Sequence, residues 1–459
     1  MVFNSVSFLY FFPAFIFLYI FSPKRFRPYI LLGSSYYFYG SWNYKFLSLI
    51  LLSTIVDYFC AIKIENSKQQ YSRKIFLYIS ITLNLGLLFA FKYYNFFIDS
   101  LVTLLNLQSS SLFLEVILPV GISFYTFQTM SYSIEVYLRR QKPETDFINF
   151  ANYVSYFPQL VAGPIERPQN LLHQIKNDIS FKYKNIQEGG RLFLYGLFKK
   201  IVVADNISGY VDAVFNNLDK HSSFSLILAG VFFSIQIYCD FSGYSDMAIG
   251  LSKSMNINLM KNFETPYFSK NITEFWKRWH ISLSSWFRDY VYINLGGSRV
   301  SQFLTYRNLV ITFLVSGLWH GANWTFILWG LYHGILVALD KVTPKIPLPK
   351  LLKIFLTFGL ACYGFIIFRC ESLSQFVEFN KILISSYNLE VFGVEKIIEY
   401  SFFLLPFIVI ELIINNKDFA FVCDKINSIF LRKLFYGVLI IMIINLGVFH
   451  GKSFIYFQF

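Results

Sequence analysis

The stretch Asn308–Asp340 reads NLVITFLVSGLWHGANWTFILWGLYHGILVALD, and its first charged residue is its last. A bilayer-crossing helix needs about 20 apolar residues, so a run of this length is typical of a membrane protein. It is longer than one crossing and shorter than two. Because glycine weakens a helix, Gly317 and Gly321 predict a kink or break at His320, which lies between them.

The composition of the whole chain is that of a polytopic membrane protein. Of its 459 residues, 55% are hydrophobic, 20% are aromatic and only 15% are charged, whereas soluble domains carry about 25% charged residues. This composition argues against intrinsic disorder, a secreted disulfide scaffold and a nucleic-acid-binding domain. The net charge of +13 fits the basic residues that collect on cytoplasmic loops. We expect contact with membrane lipid and no nucleic-acid partner.

The apolar runs predict an all-α chain that crosses the membrane about ten to twelve times, because several runs are too short to span unaided. We expect one membrane domain over residues 1–459, with N-terminal spans over 5–136, a core over 147–340 and C-terminal spans over 351–449. No appended soluble domain is expected. The candidate runs lie near 5–22, 29–42, 45–62, 75–92, 95–107, 112–136, 147–162, 190–212, 223–252, 308–340, 351–370, 398–416 and 431–449.

The first apolar run is expected to be a retained span. No basic residue precedes it and no small-residue cleavage site follows it, which distinguishes it from a signal peptide. Basic residues cluster directly after it, at Lys24, Arg25 and Arg27, and again in the polar loop over 63–74. Because basic loops stay in the cytoplasm, both loops are cytoplasmic only if the N-terminus lies outside.

Cysteine and nucleotide motifs indicate no other class. The five cysteines include no CxxC pair, so they predict neither a disulfide framework nor a zinc knuckle. No helix carries paired histidines at metal-ligand spacing, and we expect no metal. Phosphate-loop, dinucleotide and nucleophile-elbow motifs are also missing. The cysteines are Cys60, Cys239, Cys362, Cys370 and Cys423.

His320 is the strongest candidate for a functional residue. It lies about 12 residues into its apolar run, roughly 18 Å along a helix, and therefore near the middle of the bilayer. An ionisable group at that depth is a functional candidate by default. On one continuous helix Asn323 and Trp324 would share its face, whereas His333 would point away and is expected to have a structural role.

A second histidine, His280, lies in a basic and aromatic stretch. Apolar residues recur at three- and four-residue steps from Ile272 to Tyr290, which predicts a single amphipathic helix. Asn271 and Glu274 resemble a capping box at its start. Such a helix lies in the membrane interface or dips partway into it, and the alternative is an interfacial belt of aromatic residues. Its basic face carries Lys277, Arg278 and Arg288.

Two carboxylates, Asp240 and Asp246, interrupt another apolar run. Carboxylates within a membrane are costly unless they are paired or hydrated. We expect them to line a polar cavity or to pair with a basic residue. A third role is to orient a histidine as hydrogen-bond acceptors, and the spacing leaves these alternatives open.

Six blocks of the sequence resemble the membrane-bound O-acyltransferase family, and within it the bacterial alginate O-acetylase branch. The resemblance is to a whole architecture, and its motifs are highly specific. The blocks are FPQLVAGPI over 157–165, DFSGYSDMA over 240–248, FWKRWHISLSSW over 275–286, DYVYINLGGSR over 289–299, WHGANWT over 319–325 and FIYFQF over 454–459.

The resemblance implies a ring of tilted transmembrane helices around re-entrant central helices, with a tunnel to a buried histidine. It implies an O-acetyltransferase whose catalytic histidines are His320 and His280. Lys277, Arg278 and Arg288 are candidates for binding the phosphates of a donor such as acetyl-CoA. Supporting roles are expected for Asn323, Asp240, Asp246, Trp319 and Trp324.

The implied chemistry makes His320 a general base, which takes the proton from an acceptor hydroxyl as that hydroxyl attacks the thioester. Burial lowers the pKa of a histidine and keeps it neutral for this task. Asn323 or a backbone N–H at the helix break would stabilise the oxyanion. An alternative, in which His320 itself accepts the acyl group, stays open.

The implied setting is the bacterial inner membrane. We expect no bound cofactor, a cytoplasmic acetyl-CoA substrate, an extracytoplasmic partner acetyltransferase, and an alginate-like or peptidoglycan acceptor. One rival is a D-alanyl or other acyl transferase that is supplied by a carrier protein. Another is a proton-coupled transporter in which His320, Asp240 and Asp246 form a relay.

Overall fold

The computed structural model describes residues 1–106, 112–161, 163–343, 347–385, 390–415, 419–424, 426, 428–449 and 454–457. Within these residues all regular structure is helical and no β-strand occurs. This confirms the predicted all-α class. Ala162 of the first sequence block and residues 458–459 of the last block lie outside the described residues.

The helices follow one another along the chain. Three segments are π-helical, namely Phe89–Tyr93, Phe198–Ala204 and Arg288–Tyr292. The α-helices are α1 Val6–Phe21, α2 Arg27–Gly40, α3 Leu47–Asn66, α4 Gln70–Leu88, α5 Tyr94–Leu105, α6 Ile122–Tyr137, α7 Phe147–Ser155, α8 Phe157–Leu160, α9 Pro168–Ile175, α10 Tyr183–Leu197, α11 Asp205–Phe215, α12 Ser223–Ser254, α13 Ile272–Arg278, α14 Ile281–Phe287, α15 Gln302–His320, α16 Trp324–Val342, α17 Lys350–Arg369, α18 Leu373–Ser385, α19 Val394–Ile414, α20 Phe419–Asp424 and α21 Ile429–Leu446.

Seven helices in the described part of the chain are long and apolar enough to cross a membrane. They support a multi-pass membrane protein. The count of ten to twelve crossings, the ring of tilted helices and the tunnel stay predictions. The seven are Tyr44–Asn66, Gln70–Leu105, Ser223–Ser254, Trp324–Val342, Lys350–Arg369, Val394–Ile414 and Ile429–Leu446.

The chain forms two compact units. The first comprises Met1–Gly190 and Ala248–Met260, and the second comprises Arg191–Met247 and Lys261–Phe459. The five candidate catalytic and donor-binding residues belong to the second unit, and so do the five supporting residues. The expectation of one membrane domain stays a prediction.

In the first unit, helices α3, α4 and α6 pack around the buried carboxylate of Asp57. Asn84 Nδ2 donates to this carboxylate at 2.8 Å, and the hydroxyl of Ser133 donates at 3.2 Å. A buried polar group needs such hydrogen-bond partners because it has lost its water. Asp57 therefore ties the three helices together through polar contacts.

In the second unit, helices α15 and α16 form an antiparallel hairpin. α15 ends at His320 and α16 begins at Trp324, which confirms the predicted break at the histidine. Both helices extend beyond the run Asn308–Asp340, and this is why a run too short for two crossings holds two helices. A Cβ on Gly330 would lie only 2.3 Å from the backbone oxygen of Phe313, so the two backbones touch.

The prediction of one continuous helix over 272–290 is wrong. α13 ends at Arg278 and α14 begins at Ile281, with His280 between them at φ +44°. A residue in the left-handed region does not continue a right-handed helix. Trp276 of α13, Trp286 of α14 and Trp279 between the two helices are all buried in the protein, so they do not form a lipid-facing belt.

The start of α13 follows the predicted cap. Asn271 Oδ1 accepts the backbone N–H of Glu274 at 2.7 Å, which satisfies one of the free N–H groups at a helix N-terminus. The side chain of Glu274 turns to the backbone N–H of Lys270 at 2.8 Å. The capping residue is therefore as predicted, and the reciprocal contact is displaced by one residue.

Candidate active site

His320 lies at the closed end of the α15–α16 hairpin and is 2% exposed. Aromatic rings from three helices surround its imidazole. The ring centroids of Trp319, Trp329 and Phe368 lie 5.1, 4.9 and 5.6 Å from that of His320. The imidazole is therefore enclosed in an aromatic pocket.

His280 is fully buried at the break between α13 and α14. Its positive φ is uncommon for a residue other than glycine and persists only where the surrounding structure holds it. Phe241 of α12 packs edge-on against the imidazole, with ring centroids 4.5 Å apart. Because such backbone strain clusters at functional sites, the conformation of His280 marks it as a functional candidate.

The two helix breaks bring the two predicted histidines together. The ring centroids of His280 and His320 lie 6.4 Å apart. Trp319 contacts both rings, at 6.1 Å from His280 and 5.1 Å from His320. Tyr456 does the same, at 6.3 and 5.6 Å. The paired imidazoles thus share aromatic walls that keep water away.

The orientation of His280 is set by Asn262. Asn262 Oδ1 lies 3.1 Å from His280 Nδ1, and it accepts the Ser282 backbone N–H at 3.3 Å and the Ser282 hydroxyl at 2.9 Å. Because a backbone N–H only donates, the atom that faces it is the amide oxygen, and His280 Nδ1 therefore carries a hydrogen. In the neutral ring the lone pair then lies on Nε2.

Burial keeps His280 neutral. It lowers the pKa of the imidazole from 6.5 to about 3, because the charged form loses its hydration. His280 is therefore uncharged at physiological pH. A neutral ring with its lone pair on Nε2 accepts a hydrogen bond or a proton there.

His333 is held by contacts of a structural kind. The indole Nε1 of Trp276 donates to His333 Nδ1 at 3.3 Å, and the imidazole packs against the rings of Trp329 and Tyr332. A Cβ on Gly364 would lie 2.4 Å from His333 Nε2, so a neighbouring helix closes the other side. The structural role of His333 stays a prediction that these contacts favour.

A cavity of about 390 Å³ lies between the α13–α14 segment and the α15–α16 hairpin. Its wall is mostly apolar, but the exposed side chains of Lys277, Arg288 and Lys341 line it. Ser316 also lines it, one turn before His320 on the same face of α15. The cavity therefore has a basic rim and reaches α15 at Ser316, and neither His280 nor His320 lines it.

The remaining predicted residues lie apart from this cavity. Arg278 forms an ion pair with Glu274 on its own helix. Asn323 caps α16, because its Oδ1 accepts the Thr325 N–H at 3.1 Å while its Nδ2 donates to the Glu371 carbonyl at 2.7 Å. The side chain of Trp324 is half exposed. The break at His320 explains why Asn323 and Trp324 do not share its helix face.

Asp240 and Asp246 pair with two adjacent lysines. Lys200 Nζ lies 2.8 Å from Asp240 Oδ1, and Lys199 Nζ lies 2.6 Å from Asp246 Oδ2. Of the roles left open by the sequence, the structure therefore shows pairing with basic residues. A further buried carboxylate, Glu411, accepts the hydroxyls of Tyr195 and Tyr238 at 2.6 and 2.7 Å.

Several residues of the site were not predicted. They are Asn262, which holds His280, Tyr456, which contacts both histidines, Lys341 on the cavity rim, and the Lys199–Lys200 pair. Two adjacent lysines inside the apolar run 190–212 are a signal of the same kind as Asp240 and Asp246. Among the described residues, no group of three His, Cys, Asp or Glu side chains is placed to hold a metal ion, and the cysteines are free and buried.

Comparison with known families decides the class. The model of the membrane-bound O-acyltransferase family matches residues 42–370. The chain belongs to this family. It is therefore an O-acyltransferase, and its seven long apolar helices are those of a multi-pass membrane enzyme.

Named relatives fall into three groups. The chain is 42% identical to the probable alginate O-acetylase AlgI of Azotobacter vinelandii over 381 residues, which cover 81% of the chain and 76% of the relative. It is 38% identical to the peptidoglycan O-acetyltransferase of Helicobacter pylori over 388 residues, which cover 76% of the chain and 72% of that relative. It is 29% identical to the teichoic acid D-alanyltransferase of Bacillus subtilis over 276 residues, which cover 54% of the chain and 68% of that relative.

Proposed function

We propose that this protein is a membrane O-acetyltransferase that moves an acetyl group from a cytoplasmic donor for the O-acetylation of a cell-envelope polysaccharide, alginate-like or peptidoglycan. The observation that carries this proposal is the pairing of buried His280 and His320 in the same unit as a cavity with a basic rim, which Ile281 and Ser316 line. Alginate O-acetylases and a peptidoglycan O-acetyltransferase are among the relatives at 38–42% identity, which favours acetyl as the group transferred.

The cavity suits acetyl-CoA as the donor. Lys277, Arg288 and Lys341 would attract the phosphates of CoA at the rim. The apolar wall would receive the thioester arm, and Ser316 marks the path toward His320. A volume of about 390 Å³ falls within the range of small-molecule pockets, which suits the thioester arm.

His320 is the proposed general base. It takes the proton of the acceptor hydroxyl while the oxygen attacks the acetyl carbonyl, and the CoA thiolate leaves and takes up a proton. Since the Asn323 amide is engaged at the hairpin turn, a backbone N–H near the break is the proposed oxyanion donor. His280, neutral and with its lone pair on Nε2, accepts a hydrogen bond within the site.

The proposed setting is the bacterial inner membrane, with the N-terminus outside. The acceptor lies beyond the cytoplasm, so an extracytoplasmic acetyltransferase partner would complete the transfer to the polysaccharide. The basic residues after the first apolar run and in the loop over 63–74 support this orientation, because basic loops stay in the cytoplasm. One alternative function is an acyl transferase that receives its acyl group from a carrier protein. The observation that favours it is the similarity to the teichoic acid D-alanyltransferase.

The test is donor use by the purified full-length protein. We would supply either acetyl-CoA or an aminoacyl carrier protein, and measure free CoA or free carrier together with label on protein and on added polysaccharide. Turnover of acetyl-CoA alone supports the proposal. Turnover of the carrier alone would replace it with the rival, and turnover of neither, in the presence of a polysaccharide acceptor and its extracytoplasmic partner, would overturn both.

A further inference from the structure

Residues 454–457, which we call the 454–457 segment, supply one wall of the histidine site. The ring of Tyr456 lies 5.6 Å from that of His320 and 6.3 Å from that of His280. Phe454 and Ile455 are buried. Four residues cannot form a core of their own, so contacts with the rest of the unit must hold them in place.

Helix α12 provides these contacts. Asp240 Oδ2 accepts the backbone N–H of Ile455 at 2.7 Å. On either side of this hydrogen bond, the ring of Phe454 packs against Phe241 at 5.5 Å and Tyr244 at 4.7 Å. The carboxylate of Asp240 therefore fixes the backbone of the segment, and two rings of the same helix fix the side chain of Phe454.

Asp240 is held in turn by a buried lysine. Lys200 Nζ lies 2.8 Å from Asp240 Oδ1 and 2.8 Å from Asp205 Oδ1. One lysine thus faces two carboxylates, and a buried carboxylate that is not fully compensated is costly. The N–H of Ile455 gives Asp240 a further donor, so the 454–457 segment and the ion pair stabilise each other.

The lysine reaches Asp240 because two helices touch. A Cβ on Gly243 of α12 would lie 2.7 Å from the backbone oxygen of Gly196 of α10. The π-helical segment Phe198–Ala204 continues α10, and within it the adjacent Lys199 and Lys200 both reach carboxylates of α12. This local geometry brings a lysine to the carboxylate that holds the segment.

We propose that Lys200 and Asp240 hold the 454–457 segment against the histidine pair, so that Asp240 is a positioning residue that acts through the Ile455 backbone. In this proposal Asp240 itself contacts neither the acetyl donor nor the acetyl acceptor. The proposal rests on the proposed function for its activity readout. Its structural readout, the position of the segment, does not depend on which acyl group the enzyme transfers.

The first experiment measures hydrogen–deuterium exchange of the 454–457 backbone amides in the full-length protein. Asp240→Ala removes the charged acceptor, and we expect exchange to accelerate by about tenfold or more. Asp246→Asn is the matched control, because it removes the neighbouring ion pair of α12 without touching the Ile455 hydrogen bond. Equal exchange in wild type and Asp240→Ala would overturn the proposal, as would equal acceleration by Asp246→Asn.

The second experiment removes the donor instead of the acceptor. Ile455→Pro deletes the N–H at the first residue of a short helical turn, where proline is tolerated, and it leaves the Lys200–Asp240 ion pair in place. Ile455→Ala is its control, since it trims the side chain and keeps the N–H. We expect Ile455→Pro, and not Ile455→Ala, to accelerate exchange at residues 456 and 457.

The activity readout separates positioning from general damage. We expect Asp240→Ala and Ile455→Pro each to lower kcat by about tenfold or more, with little change in the KM for acetyl-CoA, and the double variant to be no worse than either. Independent, additive losses would overturn the proposal. If the wild type shows no acetyl transfer, the proposed function fails while the exchange measurements still decide whether Asp240 holds the segment.

Discussion

The imidazole rings of His280 and His320 lie 6.4 Å apart, centroid to centroid, and each histidine stands where a helix stops. His320 is the last residue of α15, and His280 is the left-handed residue between α13 and α14. Neither ring lies in the middle of a helix face. The site is therefore built from two interruptions in helical structure that meet, with Trp319 and Tyr456 packed against both rings.

Replacing the histidines tests their chemical role. We expect His320→Ala to lower acetyl transfer by roughly 10²- to 10⁴-fold, which is the usual cost of losing a general base, and His280→Ala to lower it as well. The measurement is CoA release from radiolabelled acetyl-CoA by purified protein. The control is His173→Ala on the exposed side of α9, which should keep wild-type turnover. Unchanged turnover in His320→Ala would contradict the mechanism.

Replacing Asn262 tests how His280 is held. Burial lowers the pKa of His280 to about 3, so in the wild type this ring is predominantly neutral above that pH. In Asn262→Asp a carboxylate faces Nδ1 and favours the charged ring, so the pKa of His280 rises. Because the imidazolium has no lone pair on Nε2, activity should then fall on the acidic side, at a higher pH than in wild type.

The readout for Asn262 is the pH profile of kcat/KM for acetyl-CoA. We expect an acid limb displaced to higher pH in Asn262→Asp. Asn262→Ala should lose activity at all pH values, by roughly tenfold or more because the ring is no longer oriented, with no such displacement. A profile for Asn262→Asp that coincides with wild type would show that the protonation of His280 does not limit the reaction.

Charge reversal at the cavity rim tests the donor site. Lys277→Glu, Arg288→Glu and Lys341→Glu should each raise the KM for acetyl-CoA by roughly tenfold, because a rim cation that attracts phosphate becomes a repelling anion. Salt should narrow the difference, since it screens exposed charges. Arg299→Glu, at an exposed position that does not line the cavity, is the matched control. Equal KM changes in all four variants would assign the effect to net charge alone.

Close helix packing in the hairpin predicts a stability effect. A Cβ on Gly330 would lie 2.3 Å from the Phe313 backbone oxygen, whereas nothing lies within 4 Å of one on Gly437. We expect Gly330→Ala to lower the free energy of unfolding by about 1–3 kcal/mol, the usual cost of overpacking. Gly437→Ala, also within an apolar helix, should not destabilise. The apparent melting temperature in detergent checks both, and equal melting of Gly330→Ala and wild type would argue against the hairpin contact.

Of the two helix breaks, only one could be predicted from the sequence. The break at His320 was predictable because Gly317 and Gly321 flank the histidine in an apolar run of awkward length. The break at His280 was not, because Trp279 and His280 lie in a stretch without glycine or proline, and its apolar period continues from one helix into the next. There the backbone is bent by contacts that only the fold supplies, such as that of Asn262 with Ser282.

Only the acidic half of the Lys199–Asp246 and Lys200–Asp240 ion pairs could be predicted from the sequence. Asp240 and Asp246 stood out because a carboxylate in an apolar run needs a partner, and their partners are indeed lysines. Which lysines they are depends on the contact of α10 with α12, which no local pattern records. The role of Tyr456 is unpredictable for the same reason, since it follows from where Asp240 fixes the Ile455 backbone.

A buried glutamate in the first unit predicts a pH-dependent stability. Glu166 is fully buried, and it accepts the backbone N–H of Met260 and the side-chain amide of Asn170. Burial raises the pKa of its carboxyl from 4.5 to about 7, although both hydrogen bonds work in the opposite direction. The folded protein therefore binds this proton more tightly than the unfolded chain does between pH 4.5 and 7.

The sign of the effect follows from that difference. Stability from Glu166 is fully present below about pH 4.5, declines as the pH rises toward 7, and is constant above, with a total change of at most about 3 kcal/mol. Glu166→Gln keeps an acceptor oxygen and carries no charge at any pH, so its melting temperature relative to wild type should rise between pH 5 and pH 8. Glu65→Gln, at an exposed position of the same unit, should show no such rise. A constant difference between Glu166→Gln and wild type across this range would mean that Glu166 is ionised in the folded protein at pH 5.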